Sequence, residues 1–179
     1  NNNGTTPTNN GTVVGTQGYI VQILDKSTSA ESCDVSDPGS DLVYVALEDG
    51  TGTVLGYGNM VTDGIIGDPN DYSDGLNLDG SAPSFTGDCP EFSADNVTAL
   101  GCGGFVAVEF WDSAGNPIQY ETGMDIRVFE FGGLCSTGTV TDEYDVILCS
   151  DTNGVKNNDD ISSCTTNLGG GSGEATVSI

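Results

Sequence analysis

The sequence predicts an all-β protein built as an antiparallel β-sandwich of immunoglobulin-like or jelly-roll type. Short apolar runs rich in Val, Ile, Tyr and Phe alternate with Asp-Gly, Asn-Gly, Gly-Gly and Pro turn signals. No apolar period near 3.6 residues persists over three turns, so very little helix is expected. Glycine supplies 27 of the 179 residues, about twice its usual share of roughly 7%. A chain of this length has room for one such domain.

Each predicted strand is an apolar run of strand length that ends at a turn signal. In chain order the runs are 19–24, 42–47, 53–57, 105–111, 126–131, 144–149 and 175–179. Side chains alternate across a strand, so Val106, Val108 and Phe110 share one face, which we expect to lie in the core. At least seven such strands favour a sandwich.

The remaining segments set the domain boundaries. Residues 1–12 hold no apolar side chain beyond one proline ring and are expected to be an extended tail. Residues 13–179 form the single domain, with an acidic loop region at about 58–95. The strand at 174–179 follows a Gly/Ser stretch expected to be a flexible lead, so it can complete its own sheet or that of a neighbour.

Cysteine usage predicts disulfides and export from the cytosol. The six cysteines are Cys33, Cys89, Cys102, Cys135, Cys149 and Cys164. Their even number and wide spacing, without a Cys-x-x-Cys pair, favour three bridges in an oxidising compartment. The pair expected first is Cys149 with Cys164, closing a loop of about 15 residues and stabilising the fold by roughly 3 kcal/mol.

Other signals also fit an extracellular or cell-surface protein. Sequons for N-glycosylation begin at Asn3, Asn10 and Asn96. No apolar run approaches the roughly 18 residues of a membrane span. A chain that starts at Asn1 is expected to be either the processed form of an exported protein or a trimmed one.

Charge and the absence of histidine exclude several function classes. With 27 acidic and 3 basic side chains the net charge is −24, which predicts no binding to nucleic acid. The chain has no histidine, so Ser-His-Asp and Cys-His nucleophiles and His-containing zinc sites are excluded. A non-enzymatic role is expected. A glycosidase that uses paired carboxylates needs no histidine and is the distant alternative.

Three motifs resemble a β-sandwich module of bacterial secreted and cell-surface proteins. They are Leu-Gly-Cys-Gly-Gly before the strand at 105–111, Gly-Met-Asp-Ile-Arg-Val-Phe-Glu at 123–130, and the Tyr-Asp-Val-Ile-Leu-Cys strand at 144–149. The similarity covers about residues 94–154. It implies an extracellular, non-catalytic module, often suspected of binding calcium. The chain departs from the module at 121–123, where Glu-Thr-Gly replaces the frequent Asp-Gly-Pro-Gly and the Asp is missing.

Four acidic residues are the candidate metal ligands: Asp112, Asp125, Glu130 and Asp151. Ca²⁺ takes about 6 to 8 oxygen ligands, and carboxylates that repel one another favour cation binding. The alternative for each residue is a turn cap or a solvated side chain. The segment at 151–160 lacks the EF-hand register, so an Asn-Gly turn in a Cys-closed loop is expected there.

Two non-enzymatic functions compete. The favoured hypothesis is a self-assembling subunit of an extracellular filament, tube or surface layer, stabilised by calcium, whose partners are copies of itself. Its basis is the pair of outward-reaching ends, since twelve extended residues span about 40 Å and a terminal strand can pair with a neighbouring sheet edge. The alternative is a calcium-dependent carbohydrate-binding or adhesion module, in which Trp111 with Tyr120 or Tyr72 stacks on a glycan.

Overall fold

The computed structural model describes residues 17–27, 39–63, 77–85, 89, 96–131, 135, 142–149 and 164–179. Nearly all of the regular structure in these residues is β-strand. The strands are β1 (Gln17–Gly18), β2 (Ile20–Asp25), β3 (Asp41–Glu48), β4 (Val54–Asp63), β5 (Thr98–Ala99), β6 (Phe105–Trp111), β7 (Tyr120–Glu121), β8 (Asp125–Glu130), β9 (Glu143–Cys149), β10 (Cys164–Ser172) and β11 (Glu174–Ser178).

One antiparallel sheet dominates the fold, with the strand order β10-β9-β2-β6-β4-β3-β8-β11. The short strand β5 pairs with β3, and β1 pairs with β7 in a separate two-stranded ribbon. The sheet curls until it is nearly closed in a barrel shape. The predicted all-β, antiparallel, disulfide-bonded fold is therefore confirmed.

Strand β4 lies between β3 and β6 and pairs with each of them along a different part of its length. Its first part pairs with β3, whereas its second part, from Tyr57 onward, pairs with β6. Gly58 lies at the change of partner, where an added Cβ would be 3.2 Å from Val108 and 3.3 Å from Val45. A bare backbone at this position therefore lets the side chains of β3 and β6 pack close to β4.

The sheet is brought nearly to closure by a second bent strand. β10 pairs with β9 and β11 pairs with β8, and only Gly173 separates β10 from β11. Gly173 has a φ of 66°, in the left-handed region that glycine adopts without a steric penalty. The C-terminal strand thus completes a sheet of its own chain. The Gly/Ser stretch before it, expected to be a flexible lead, pairs with β9 as part of β10.

The core lies inside the curled sheet and contains the apolar side chains that the strand pattern predicted. Val106, Val108 and Phe110 are fully buried there, as expected from their alternation. Ala107 and Glu109, on the opposite face of β6, are also buried. Strand β6 is therefore covered on both faces, because a second small cluster around Ile20 and Cys149 packs outside it.

The acidic region expected to be a loop contributes regular structure and core packing. Strand β4 extends into this region and ends at Asp63. Asn59 forms a β-bridge with Asp79. Leu78 is buried in the main core. Asn77 Nδ2 donates to the carbonyl oxygens of residues 42 and 43 at 2.8 and 2.7 Å, which attaches this segment to β3.

Two disulfides have both of their cysteines among the described residues. Cys149 bonds Cys164, which confirms the expected pair, and Cys89 bonds Cys135. Cys102 is disulfide-bonded as well, and Cys33 lies outside the described residues. In the part of the chain that the structure describes, no helix is long and apolar enough to cross a membrane.

Candidate functional site

Asp112, a predicted metal ligand, closes a turn. Its Oδ1 accepts hydrogen bonds from the backbone N–H groups of Ala114 and Asn116, both at 2.8 Å. Hydrogen bonds from the backbone and side chain of Asn116 lower the pKa of Asp112, so the carboxylate is ionised at neutral pH. The alternative considered for this residue, a turn cap, describes its contacts.

Asp125 and Glu130, also predicted as ligands, lie at opposite ends of β8. They are five positions apart along the strand, which corresponds to about 17 Å, and they face opposite sides of the sheet, so they do not share one ion. Glu130 is fully buried, and its Oε2 accepts a hydrogen bond from the Gly173 N–H at 3.1 Å. Asp151 lies outside the described residues. The structure does not bring the described candidates together.

Trp111 and Tyr120, predicted to stack together on a glycan, do not form a shared exposed surface. Tyr120 is fully buried, and its hydroxyl donates to the carbonyl oxygen of Cys149 at 2.6 Å. Trp111 is partly exposed and donates from Nε1 to Glu109 Oε1 at 2.7 Å. Because Tyr120 packs in the core, it cannot present a ring face to a ligand. Tyr72 lies outside the described residues.

One of the three sequons lies in the described residues. Asn96 is partly exposed, whereas Thr98 is buried and donates from its hydroxyl to Asn77 Oδ1. Attachment of a glycan at Asn96 would therefore require that the glycosylating enzyme bind Thr98 before the chain folds. Asn3 and Asn10 lie outside the described residues.

Strand β10 is the surface feature that the sequence reasoning missed. Residues 165–167 are exposed in succession, so neither face of the strand is covered there. β10 pairs with β9 on one side and is a terminal strand of the sheet order. None of the described strands pairs with the other side of β10. Such an edge presents unpaired N–H and C=O groups to solvent.

The edge of β10 is also free of charge. No Asp, Glu, Lys or Arg occurs from 164 to 173, in a chain with a net charge of −24. Native edge strands usually carry charged side chains that discourage pairing with other chains. This uncharged run can be seen in the sequence, and it is the signal that could have identified β10 as an edge strand.

Several contacts hold β10 against β9. The Cys149–Cys164 disulfide fixes its first residue, and Asn167 Nδ2 donates to Asp145 Oδ2 at 2.8 Å. An added Cβ at Gly170 would overlap the carbonyl oxygen of Tyr144, so the two backbones are in close contact there. The edge is therefore an ordered strand, with little conformational entropy left to lose on binding.

Charges beside β10 are partly balanced. Lys26 Nζ lies 3.4 Å from Glu143 Oε2 and 3.5 Å from Asp145 Oδ1. The charge of Asp145, and then the hydrogen bond to Glu143, raise the pKa of Lys26, so it stays protonated. The negative charge beside this edge is thus smaller than the number of nearby carboxylates alone would give.

Comparisons with known proteins give no relative from which a function could be transferred. No family model matches the chain, and neither a curated protein nor a solved structure matches it. The resemblance to a bacterial β-sandwich module stays a prediction.

Proposed function

We propose that the protein is a non-enzymatic structural subunit of an extracellular assembly and that its copies associate through β10. The observation that carries this proposal is the exposed, uncharged edge of that strand. Disulfides fit a place outside the cytosol. Association through one edge gives a pair of copies, and a filament, tube or layer requires a second contact elsewhere on the subunit.

Edge-to-edge pairing supplies main-chain hydrogen bonds without requiring complementary side chains. Two copies of β10 related by a two-fold axis would run antiparallel and extend the sheet across the contact. The glycines at 169–171 keep side chains out of the way on this strand. The proposed contact therefore needs little beyond an unpaired backbone on each side.

The total charge opposes any association between copies. Exposed charges interact over about 8 to 10 Å at physiological ionic strength, so distant carboxylates of two subunits are largely screened from one another. The carboxylates nearest the contact matter most, and Lys26 pairs with two of them. We therefore expect association to strengthen as salt concentration rises.

Sedimentation velocity of the full chain over a concentration series tests the proposal. The wild type is expected to self-associate, and the double variant Thr165→Glu with Thr166→Glu to remain monomeric, because it places two carboxylates on each edge. The matched control is Ser113→Glu with Ala114→Glu, which adds the same charge at an exposed turn. Equal association of both double variants would contradict the proposal.

An aromatic surface favours a second candidate function, carbohydrate binding. Tyr44 and Tyr57 are partly exposed, with ring centroids 6.0 Å apart in an edge-to-face arrangement, and Tyr44 stacks on Phe129 at 5.4 Å. Tyrosine offers an apolar face and a polar hydroxyl to a sugar ring. Electrophoresis through gels containing neutral polysaccharides tests it: retardation of the wild type but not of Tyr57→Ala supports binding, and no retardation rejects it.

A further inference from the structure

A group of oxygen atoms lies around the buried carboxylate of Asp25 at one end of the curled sheet, where β2 ends and β3 and β9 begin. We call it the oxygen pocket; its members are the carboxylates of Asp25 and Asp142, the hydroxyls of Ser27 and Ser40, and the carbonyl oxygens of Gly101 and Glu143. Asp25 is only 2% exposed and Asp142 is 6% exposed. The three ligand candidates that lie in the described residues, Asp112, Asp125 and Glu130, are not members of this pocket.

The two oxygens of Asp25 differ in their contacts. Oδ1 accepts hydrogen bonds from the Ser27 N–H at 2.7 Å and from the Ser40 hydroxyl at 3.4 Å. Oδ2 is shut off from solvent and has no hydrogen-bond partner among the described residues. A carboxylate oxygen that is buried without a donor is costly, so a ligand is expected to compensate it.

The bare backbone of Gly39 lies close to Asp25 Oδ2. A Cβ at this position would overlap Oδ2 and would lie 3.1 Å from the carbonyl oxygen of Gly101. The unpartnered carboxylate oxygen and this carbonyl oxygen therefore both lie beside Gly39. Two negative ends that lie near each other favour a cation between them.

The spacing of the oxygens favours Ca²⁺ over Mg²⁺. Ser40 Oγ lies 3.4 Å from both Asp25 Oδ1 and the carbonyl oxygen of Glu143. Two oxygens that bind Ca²⁺ at about 2.4 Å and at right angles are about 3.4 Å apart, whereas Mg²⁺ at about 2.05 Å requires about 2.9 Å. The second carboxylate is close, because Ser27 Oγ donates to Asp142 Oδ1 at 3.0 Å.

Protein cations do not compensate Asp25 in the described part of the chain. Lys26 lies against Glu143 and Asp145, and Arg127 pairs with Glu48 and Glu174. The third basic residue of the sequence, Lys156, lies outside the described residues.

We propose that the oxygen pocket binds one Ca²⁺, with the Asp25 carboxylate as its central ligand and Asp142 as the second acidic ligand. Carbonyl oxygens of Gly101 and Glu143 and the Ser40 hydroxyl complete the protein ligands, and water supplies the rest. The ion ties β2, β3, β9 and the turn before β6 together. The site does not depend on association through β10.

Isothermal titration of the full chain, stripped of metal at pH 7.5, with CaCl₂ tests this proposal. The oxygen pocket of the wild type is expected to bind one Ca²⁺ more tightly than the acidic groups on the surface do. Its affinity for Mg²⁺ is expected to be at least tenfold lower. Asp25→Asn keeps the size and shape of the side chain but removes its charge, and it is expected to lower the affinity for Ca²⁺ at least tenfold. Asp142→Asn is expected to lower it by a smaller factor.

The control is Asp112→Asn, at the exposed turn, which is expected to keep the wild-type affinity. Melting followed by circular dichroism provides an independent readout that also reports whether each variant folds. Ca²⁺ is expected to raise the melting temperature of the wild type and of Asp112→Asn, but that of Asp25→Asn no more than Na⁺ at equal ionic strength. An unchanged Ca²⁺ response in folded Asp25→Asn, or no response in the wild type, would overturn the proposal.

Discussion

Glu130 and Gly173 form a reciprocal pair of hydrogen bonds across the bend between β10 and β11. The Gly173 N–H donates to Glu130 Oε2, and the Glu130 N–H donates to the Gly173 carbonyl oxygen, each at 3.1 Å. The Tyr144 hydroxyl donates to the same carbonyl oxygen at 3.1 Å. All three groups are buried, so the bend that nearly closes the sheet is fixed by internal polar contacts.

Removing the Glu130 side chain is expected to destabilise the fold. Glu130→Ala leaves the buried Gly173 N–H with one partner fewer, which costs about 1 to 3 kcal/mol in the free energy of unfolding. Glu130→Gln retains an oxygen acceptor and is expected to cost less. Urea denaturation of both variants measures the difference, with the exposed Glu121→Ala as control. Equal stability of all three variants would show that the bend does not depend on Glu130.

Tyr144 gives a related prediction about the same bend. Burial raises its pKa, so the hydroxyl stays protonated and donates throughout the physiological range. Tyr144→Phe removes this donor and keeps the ring in the core, so we expect a loss of about 0.5 to 1.5 kcal/mol in the free energy of unfolding. Denaturation in urea at pH 7 provides the measurement, and an unchanged midpoint would contradict the assigned hydrogen bond.

The Cys149–Cys164 disulfide is expected to control the order of β10. Replacing both residues with alanine opens a loop of about 15 residues, which corresponds to roughly 3 kcal/mol of lost stability in the chain-entropy model. The amides of β10 should also exchange faster with solvent than those of β11, because the first residue of β10 is no longer attached to β9. Hydrogen exchange of the double variant measures this. Unchanged protection of β10 would mean that backbone pairing alone holds it.

The sequence was sufficient for strands that alternate or cluster large apolar side chains. Val106, Val108 and Phe110 lie in the core as their spacing predicts, because alternation determines which side chains share a face. Strand β10 escaped this reasoning because its Thr, Asn and Gly residues bury almost nothing. Its conformation arises from pairing with β9 and from the bond at Cys164, both of which are tertiary contacts.

Candidate site residues were harder to predict than strands. The turn at Asp112 is local, and its contacts were among the alternatives that the sequence suggests. Glu130 depends on Gly173, which is 43 residues away, and Asp25 lies near Asp142, which follows it by 117 positions. A residue's type indicates that it can bind a cation, but only the fold determines which oxygens meet.

Without Ca²⁺, Asp25 is expected to make the fold less stable as pH rises. Burial raises its pKa above the usual 3.8, so the folded state binds this proton more tightly than the unfolded state. The contribution is therefore fully present below pH 3.8 and is lost as pH rises through the raised folded value. The difference in unfolding free energy between wild type and Asp25→Asn isolates this group from other carboxylates.

We expect that difference to shift in favour of Asp25→Asn between pH 3.5 and pH 7.5 in the presence of a chelator. Chemical denaturation of both proteins at several pH values in this range provides the measurement. A difference that stays constant with pH would contradict a buried, titrating Asp25.

The central claim, association through the edge of β10, is tested most directly by hydrogen exchange of the wild type at low and high protein concentration. Paired edge strands protect amides that point outward in the single subunit. We predict that peptides covering β10 gain protection as the protein associates, whereas peptides covering β6, which is paired on both sides, do not change. Association with unchanged exchange in β10, or with new protection confined to other strands, would contradict the account.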